Sequence, residues 1–165
     1  MRRAVSILGT LLIIVTILIS GSVVAGTWLY IDHVEFENYC TNPNDAVGID
    51  DGDHATIGQD DPVLKLGSIC LDLGDGNAMG PNQIFWVNAS SDDSEEYKVW
   101  VTDNPEDWDD YIYVGYNEDT AKHSFTTPYI IGSSWRWVYL EGKTGLDTGD
   151  YAYGPDIDAV GWESP

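Results

Sequence analysis

The feature that most constrains the fold of this chain is a succession of short apolar or alternating runs. Beyond Ile31 no helical period lasts longer than two turns. Nine runs follow one another instead, at 33–36, 54–58, 68–74, 83–89, 97–102, 111–116, 123–127, 135–142 and 157–162. Turn-forming segments such as NPND and GDGNAMGPN separate them. Short strands at close spacing, without crossover helices, form antiparallel sandwiches or barrels. The sequence therefore predicts an all-β domain of eight or nine antiparallel strands.

The N-terminal segment differs from the rest of the chain. Arg2 and Arg3 are followed by a long uncharged stretch with an apolar run from Ile7 to Ile19, and small residues precede a cleavage position after Ala25. These are the parts of a secretory signal peptide. The uncharged stretch also exceeds the ~20 residues that span a bilayer, so a retained helical anchor fits equally well. Both alternatives predict an extracellular or cell-surface protein, with a signal or anchor helix at 1–30 and a folded domain at 31–163.

The charge of the chain limits its partners. Seven Lys and Arg residues stand against 28 Asp and Glu residues, for a formal net charge of −21. Binding nucleic acid or anionic lipid requires basic residues that neutralise phosphates, so we expect no nucleic acid partner and membrane contact only through the N-terminal segment. The charge suits divalent cations or a salty medium. Seven Trp, ten Tyr and three Phe supply too much apolar surface for a disordered acidic chain.

The two cysteines and one sequon fit an exported domain. In an oxidising compartment Cys40 and Cys70 are expected to form one disulfide, and the alternative is a pair of buried thiols. Their spacing matches no zinc-ligand pattern. Asn88 opens the sequon Asn-Ala-Ser, which predicts N-glycosylation in an exported loop.

Catalytic signatures are missing from the sequence. The motifs HExxH, GxSxG and GxGxxG do not occur, and three histidines leave few candidates for acid–base chemistry. With 28 acids, a pair of carboxylates at a glycosidase separation would arise by chance and carries no information. The sequence therefore predicts a noncatalytic protein.

The stretch GIDDGDHATIG at 48–58 concentrates like charges that should repel one another. Asp51 and Asp53 stand two residues apart around a glycine, and the hydroxyl of Thr56 follows. Calcium is bound by six to eight such oxygens on a flexible loop, although the closing Glu and the helices of an EF-hand are missing. Near the C-terminus, Asp156 and Asp158 share one face of the last predicted strand, because side chains alternate with period two. The two alternatives are a calcium loop and a solvated acidic turn.

The order of several motifs resembles the galactose-binding-like jelly roll, a superfamily that includes discoidin-type domains and carbohydrate-binding modules. The motifs are NPNDAVGIDDGDHATIG, LDLG, YKVWVTDN, YIYVG, WRWVYLEG and GPDIDAVGWE, and they cover about residues 31–163. The resemblance implies an antiparallel jelly-roll β-sandwich. It also implies a structural Ca²⁺ that ties the loop after the first strand to the last strand. By position, the implied ligands are Asp51, Asp53, Thr56 and Asp158, with backbone carbonyls near Ala46.

The same resemblance implies a ligand site on loops at one end of the sandwich. The candidate ligand residues are Trp108, Arg136, Tyr151 and Tyr153. Four further tryptophans are expected in the core, namely Trp86, Trp100, Trp135 and Trp137, and Trp135 and Trp137 are expected on one side of their strand. The expected function is that of a noncatalytic, calcium-stabilised surface module that binds a carbohydrate or surface polymer. The alternative is a structural subunit of an envelope layer or pilus-like filament that self-assembles.

Overall fold

A computed structural model of the chain describes residues 27–58, 67–89, 96–118, 121–142 and 154–163. These residues form eleven strands and two short 3-10 helices. The strands are β1 (Trp28–Tyr30), β2 (His33–Asn38), β3 (Cys40–Thr41), β4 (Ala55–Ile57), β5 (Ser68–Asp72), β6 (Ile84–Ala89), β7 (Tyr97–Thr102), β8 (Ile112–Asn117), β9 (Lys122–Thr126), β10 (Trp137–Gly142) and β11 (Asp156–Glu163). The 3-10 helices are Pro43–Ala46 and Trp108–Asp110.

The strands form two antiparallel sheets packed face to face. One has the order β3-β4-β11-β6-β9, with β1 also paired to β11, and the other has the order β2-β5-β10-β7-β8. Each of the nine predicted runs overlaps one of the eleven strands, and only β1 and β3 lie outside the runs, so the predicted antiparallel β-sandwich is confirmed. The predicted N-terminal helix and leader lie outside the described residues. Within the described part of the chain, no helix has the length and apolarity needed to cross a bilayer.

Alternation along the strands builds the core between the two sheets. In β10, for example, Val138 and Leu140 face the core, whereas Tyr139 faces the outer side of the sheet. Both sides of β5 are buried, because Ile69 and Leu71 face the core while Cys70 is covered from outside. The largest fully buried side chains are those of Trp162, Tyr97, Phe85, Ile31, Ile57, Ile69, Leu71, Leu73, Met79, Leu140, Ile157 and Val87.

The folded part of the chain begins earlier than residue 31. β1 pairs with the end of β11, with Trp28 opposite Glu163 and Tyr30 opposite Gly161. Leu29 packs against the core. This strand could not be distinguished in the sequence, because its three apolar residues follow the apolar N-terminal segment with no charged residue between them.

The predicted disulfide is wrong, because Cys40 and Cys70 are free thiols. Cys40 lies on β3 in one sheet and packs against the core. Cys70 lies on β5 in the other sheet, on its outer face, where it is hydrogen-bonded to Tyr111. The two side chains thus lie on opposite sides of the five-stranded sheet. Burial raises the pKa of each thiol to about 12, so both stay protonated.

The predicted positions of the tryptophans are only partly correct. Trp135 lies in the core at 2% exposure, whereas Trp86, at 5% exposure, is buried on the outer face of the six-stranded sheet against Trp28 and Tyr30. Trp100 and Trp137 are half-buried on the outer face of the five-stranded sheet, because the valines beside them fill the core. Trp135 therefore does not share a side with Trp137: it precedes β10 and pairs with Met79 in an isolated bridge.

Candidate functional site

Four aromatic residues line up across the outer face of the five-stranded sheet. The strand register places Phe36 opposite Cys70, Cys70 opposite Tyr139, Tyr139 opposite Trp100, and Trp100 opposite Tyr113. We call Phe36, Tyr139, Trp100 and Tyr113 the aromatic row. It crosses all five strands at right angles to the chain direction, since directly opposed residues of neighbouring strands lie side by side on one face.

Ring contacts make this row continuous. The centroid distances are 6.2 Å from Phe36 to Tyr139, 5.5 Å from Tyr139 to Trp100 and 5.4 Å from Trp100 to Tyr113. Tyr139 is only 4% exposed and forms the base of the row, whereas Phe36 and Tyr113 are 38% and 54% exposed. The two ends of the row therefore offer apolar ring surface to solvent.

Trp108, a predicted ligand residue, stands beside the row. It begins the 3-10 helix after β7, which Asp107 caps by accepting a hydrogen bond from the backbone N–H of Asp109. Its ring lies 5.0 Å from Tyr139 and 4.3 Å from Tyr111, and the residue is 60% exposed. The Tyr111 hydroxyl donates to a loop carbonyl at 2.8 Å, which holds this loop against the sheet. Trp108 thus adds a fixed, exposed indole to the same face.

Arg136, another predicted ligand residue, is bound by carboxylates. Its guanidinium donates to both oxygens of Asp72 at 2.7 Å and lies 2.9 Å from Asp75. Burial raises the pKa of the Asp72 carboxyl, but the hydrogen bonds from Arg136 and the backbone of Gly74 outweigh this and hold it below its usual value. The same guanidinium lies 4.9 Å from the ring of Trp137. Arg136 therefore organises one border of the aromatic row.

A polar group that sequence analysis missed adjoins this pair. The Nε2 atom of His33 lies 3.3 Å from Asp72 and 3.9 Å from Glu35, and the indole N–H of Trp137 donates to Glu35 at 3.1 Å. Among the His, Cys, Asp and Glu side chains of the described residues, only His33, Glu35 and Asp72 bring three candidate metal-ligand atoms within 4.8 Å of one another. A metal ion there would compete with Arg136 for Asp72. No local signal marks the group, since its members meet only when β2 pairs with β5.

The opposite border of the row carries a second ion pair. Lys98 on β7 lies directly opposite Glu141 on β10, and their side chains meet at 3.1 Å. The Lys98 ammonium is also 5.9 Å from the ring of Trp100. The aromatic row therefore runs between two borders, each of which contains a paired acid and base.

The predicted calcium ligands lie at another part of the sandwich. Asp158, at 6% exposure, accepts hydrogen bonds from the backbone N–H groups of Asp51 and Gly52, each at 3.3 Å. Asp53 donates its N–H to the carboxylate of Asp51 at 3.1 Å. Thr56 lies on β4 opposite Asp156. The structure thus brings the loop of Asp51 against the last strand, while the carboxylates of Asp51 and Asp53 are exposed.

Asp50 is a neighbour of Asp158 that the prediction missed. Burial, together with a hydrogen bond to Asp50, raises the pKa of Asp158 to about 6. The Asp50 carboxylate also accepts a hydrogen bond from the side chain of Asn88 at 2.9 Å. The carboxyl groups of Asp50 and Asp158 are in contact, and that of Asp158 is buried. Their oxygens could serve as ligands of a cation, because a cation can replace the proton between them. Asn88, the sequon residue, lies on β6 rather than in a loop. The remaining candidate ligand residues, Tyr151 and Tyr153, lie outside the described residues.

Solved structures share this architecture. A CBM32 module of AlyQ in complex with 4,5-unsaturated mannuronic acid matches at 14% identity and TM-score 0.54, over 82% of this chain and 97% of its own. Reduced XRCC1 bound to the DNA polymerase β catalytic domain matches at 12% identity and TM-score 0.59, over 84% and 100% of the two chains. A fucosidase of Ruminococcus gnavus in complex with fucose matches at 17% identity and TM-score 0.50, over 74% of this chain and 22% of its own.

These likenesses identify the fold. The neighbours include a carbohydrate-binding module, and they confirm the jelly-roll β-sandwich fold that the sequence resemblance implies. No protein-family model matches the chain. A search of curated proteins likewise found no match. At 12–17% identity these structures establish the fold alone, so the function has to be argued from the residues of this chain.

Proposed function

We propose that this protein is a noncatalytic carbohydrate-binding module displayed outside the cell. The observation that carries the proposal is the exposed aromatic surface formed by the aromatic row and Trp108. The faces of sugar rings carry C–H groups that pack on aromatic rings, while their hydroxyls need hydrogen-bonding groups nearby. A largely apolar surface with a few convergent polar groups is the usual composition of a small-molecule site.

The comparisons with solved structures give partial support to a carbohydrate as the ligand. The AlyQ module is described with a bound sugar, whereas XRCC1 is described with a bound protein, so the shared fold allows both kinds of partner. A net charge of −21 argues against nucleic acid. The aromatic surface, bordered by the Arg136–Asp72 and Lys98–Glu141 pairs, favours a carbohydrate over the other partners.

Export forms part of the proposal and rests on the N-terminal segment. The sequence of residues 1–30 has the charge and hydropathy of a signal peptide or a membrane anchor. The mature N-terminus, measured by intact mass, distinguishes the two. A terminus near Gly26 means cleavage and secretion, whereas a terminus at Met1 means a retained anchor.

A glycan array probed with the full chain tests the proposal. We expect at least one reproducible hit, which weakens when Trp108 is replaced by Ala. The matched control is Tyr129→Ala, which removes another exposed aromatic ring, at 69% exposure, outside the aromatic row. A blank array would contradict the proposal. Ordered filaments on the source cell would then favour the structural subunit instead.

We further propose that one Ca²⁺ stabilises the domain at the Asp50 and Asp158 carboxylates. Asp51, Asp53, Thr56 and backbone carbonyls near Ala46 complete the proposed ligand set. The ion would supply positive charge where a buried carboxyl is in contact with a second one. It would thereby hold the loop before β4 to the last strand, and the role is structural.

The melting temperature tests the calcium proposal. An ion that binds only the folded state stabilises it by about 2.7 kcal/mol at a hundred times Kd. For a domain of this size that raises the melting temperature by roughly 5–10 °C. Mg²⁺ should do much less, because it demands a tight octahedron. Asp158→Asn should abolish most of the response, and Asp103→Asn, at an exposed site on another loop, should leave it intact. An unchanged melting temperature in EDTA would contradict a calcium site.

A further inference from the structure

We infer that one end of the sandwich rests on the membrane in which the N-terminal segment is anchored, through a loop that exposes Tyr129, Ile130 and Ile131. The inference does not depend on carbohydrate binding. It requires that the N-terminal segment is retained, and it extends the membrane contact expected of that segment to the folded domain.

The strand register defines this end of the sandwich. Trp28, the first residue of β1, lies opposite Glu163, the last residue of β11. Ile84, the first residue of β6, lies opposite Thr126, the last residue of β9. The side chain of Gln83 donates a hydrogen bond to the backbone carbonyl of Glu163 and thereby joins the two pairs. The chain therefore enters the domain at the end of the sheet where the loop after β9 begins.

The loop after β9 is fixed at both of its bases. At the first base, Thr127 donates its N–H to the carbonyl of Gln83 at 2.9 Å and its hydroxyl to that of Gly80 at 2.6 Å. At the second base, Met79 and Trp135 exchange two backbone hydrogen bonds, both at 2.9 Å. Thr127, Met79 and Trp135 are all buried. The residues between the two bases are therefore held at the surface of this end.

These intervening residues form an apolar tip. The N–H of Ser133 donates to the carbonyl of Ile130 at 3.2 Å and closes a turn. Gly132 occupies this turn at a φ of 83°, which glycine adopts without a steric penalty. Tyr129, Ile130 and Ile131 are 69%, 42% and 83% exposed. The turn thus presents three apolar side chains to the surroundings.

Two further apolar side chains are exposed at the same end. Trp28 is 49% exposed and Ile84 is 56% exposed. A group of exposed apolar residues marks a surface that contacts a protein or a membrane. Trp and Tyr are the residues enriched where a membrane meets water, because their rings are apolar and their N–H or O–H groups are polar. Trp28 and Tyr129 fit that position.

The loops of this end carry no charge, although the chain has 28 acids. No Asp, Glu, Lys or Arg occurs at 76–91 or at 124–135. Among the four paired residues that end the strands here, only Glu163 is charged. The acidic loop after β7 folds back along the outer face of the other sheet, where Trp108 lies 5.0 Å from Tyr139. An uncharged apolar end suits a zwitterionic bilayer, whereas a net charge of −21 repels anionic lipid.

The N-terminal segment indicates that the partner is a membrane. Residues 4–27 carry no charge and exceed the ~20 residues that span a bilayer. Because β1 begins at Trp28, an anchor formed by this segment would leave the bilayer beside the loop of Tyr129. The anchor and the apolar tip would then meet the same lipid surface, while the Asp50 and Asp158 carboxylates lie towards the other ends of β6 and β11.

The full chain, reconstituted into phosphatidylcholine nanodiscs, tests the inference. An environment-sensitive NBD label is attached to Ile131→Cys in one preparation and to Ile49→Cys in the other. We expect the emission of the label at position 131 to shift to the blue when the protein moves from detergent into discs. Spin-labelled lipid should quench this label several-fold more strongly than the label at position 49.

Ile49 is the matched control because it is an exposed isoleucine, at 62% exposure, on another loop. Its neighbour Asp50 accepts a hydrogen bond from Asn88, near the far end of β6. Unsubstituted protein, labelled in parallel, gives the background from Cys40 and Cys70. Thermal melts verify that each variant is folded.

Three outcomes would overturn the inference. The first is equal quenching at positions 131 and 49. The second is a blue shift that needs two protein molecules in one disc, which would assign the tip to a second copy of the chain. The third is a mature N-terminus near Gly26, since a cleaved chain has no anchor. Carbohydrate binding would stand in each case, because the glycan array tests it separately.

Discussion

Gly161 should be intolerant of a single added carbon, because the indole of Trp86 lies directly on it. The two residues are opposed in the pairing of β11 with β6. A Cβ atom at Gly161 would lie 2.5 and 2.8 Å from two atoms of that indole. Ordinary contact begins near 3.4 Å, so the ring would have to move by about 1 Å.

The ring has no easy route of escape. Trp28 and Tyr30 contact it at centroid distances of 6.1 and 5.7 Å, and the Lys122 ammonium lies 3.7 Å from its centroid. Adding a carbon atom against a side chain that cannot move aside lowers the free energy of unfolding by about 1–3 kcal/mol. Gly161→Ala should therefore lower the melting temperature by about 3–10 °C.

Urea unfolding followed by tryptophan fluorescence measures this cost, and a double-mutant cycle identifies its cause. In a Trp86→Leu background the clash is gone, although Leu29 O would still lie 3.1 Å from the new carbon. Gly161→Ala should then be nearly neutral, since Ala in a strand avoids the entropy cost of Gly. Gly80→Ala, where the new carbon meets nothing within 4 Å, is the control. An equal cost with and without Trp86 would refute this reasoning.

Two further predictions concern charge and thiol chemistry. Arg136→Gln should lower the melting temperature by several degrees at pH 7, and far more than Lys98→Gln, because it leaves the buried Asp72 carboxylate without its guanidinium. The lowered pKa of Asp72 means that its contribution is present above the unfolded-state pKa and is lost as the pH falls through the folded-state pKa. The difference from wild type should therefore shrink in acid, and a pH-independent difference would contradict the ion pair. Cys40 and Cys70 should both be alkylated in unfolded, unreduced protein, whereas a disulfide would block both; in native protein, Cys70 should react more slowly.

The strands could be predicted because strand formation leaves a local signature. Runs such as 84–89 alternate between core residues, including Phe85 and Val87, and residues of the other face, and turn residues separate the runs. Two strands lack such a signature: β1 (Trp28–Tyr30) continues an apolar segment, and β3 (Cys40–Thr41) is too short to show an alternation. The prediction of a disulfide rests on an oxidising compartment and on the presence of two cysteines. Neither says in which sheet Cys40 or Cys70 lies.

The choice of which face turns inward was harder to predict where both faces are apolar. In β7, Val99 and Val101 alternate with Trp100, and hydrophobicity alone places the larger tryptophan in the core. The structure does the opposite. Val99 and Val101 pack in the core between the sheets, and Trp100 joins the aromatic row on the outer face. The same choice in β10 sends Tyr139 outward.

The sequence by itself determined the all-β class, the positions of nine strands, the acidity that argues against nucleic acid, and the acidic loop before β4. Tertiary structure alone decided the candidate site. Phe36, Trp100, Tyr113 and Tyr139 come from four separate strands, and they become neighbours only through the order β2-β5-β10-β7-β8. Period-two alternation is a property of each strand, but strand order and register depend on contacts between residues far apart in the chain.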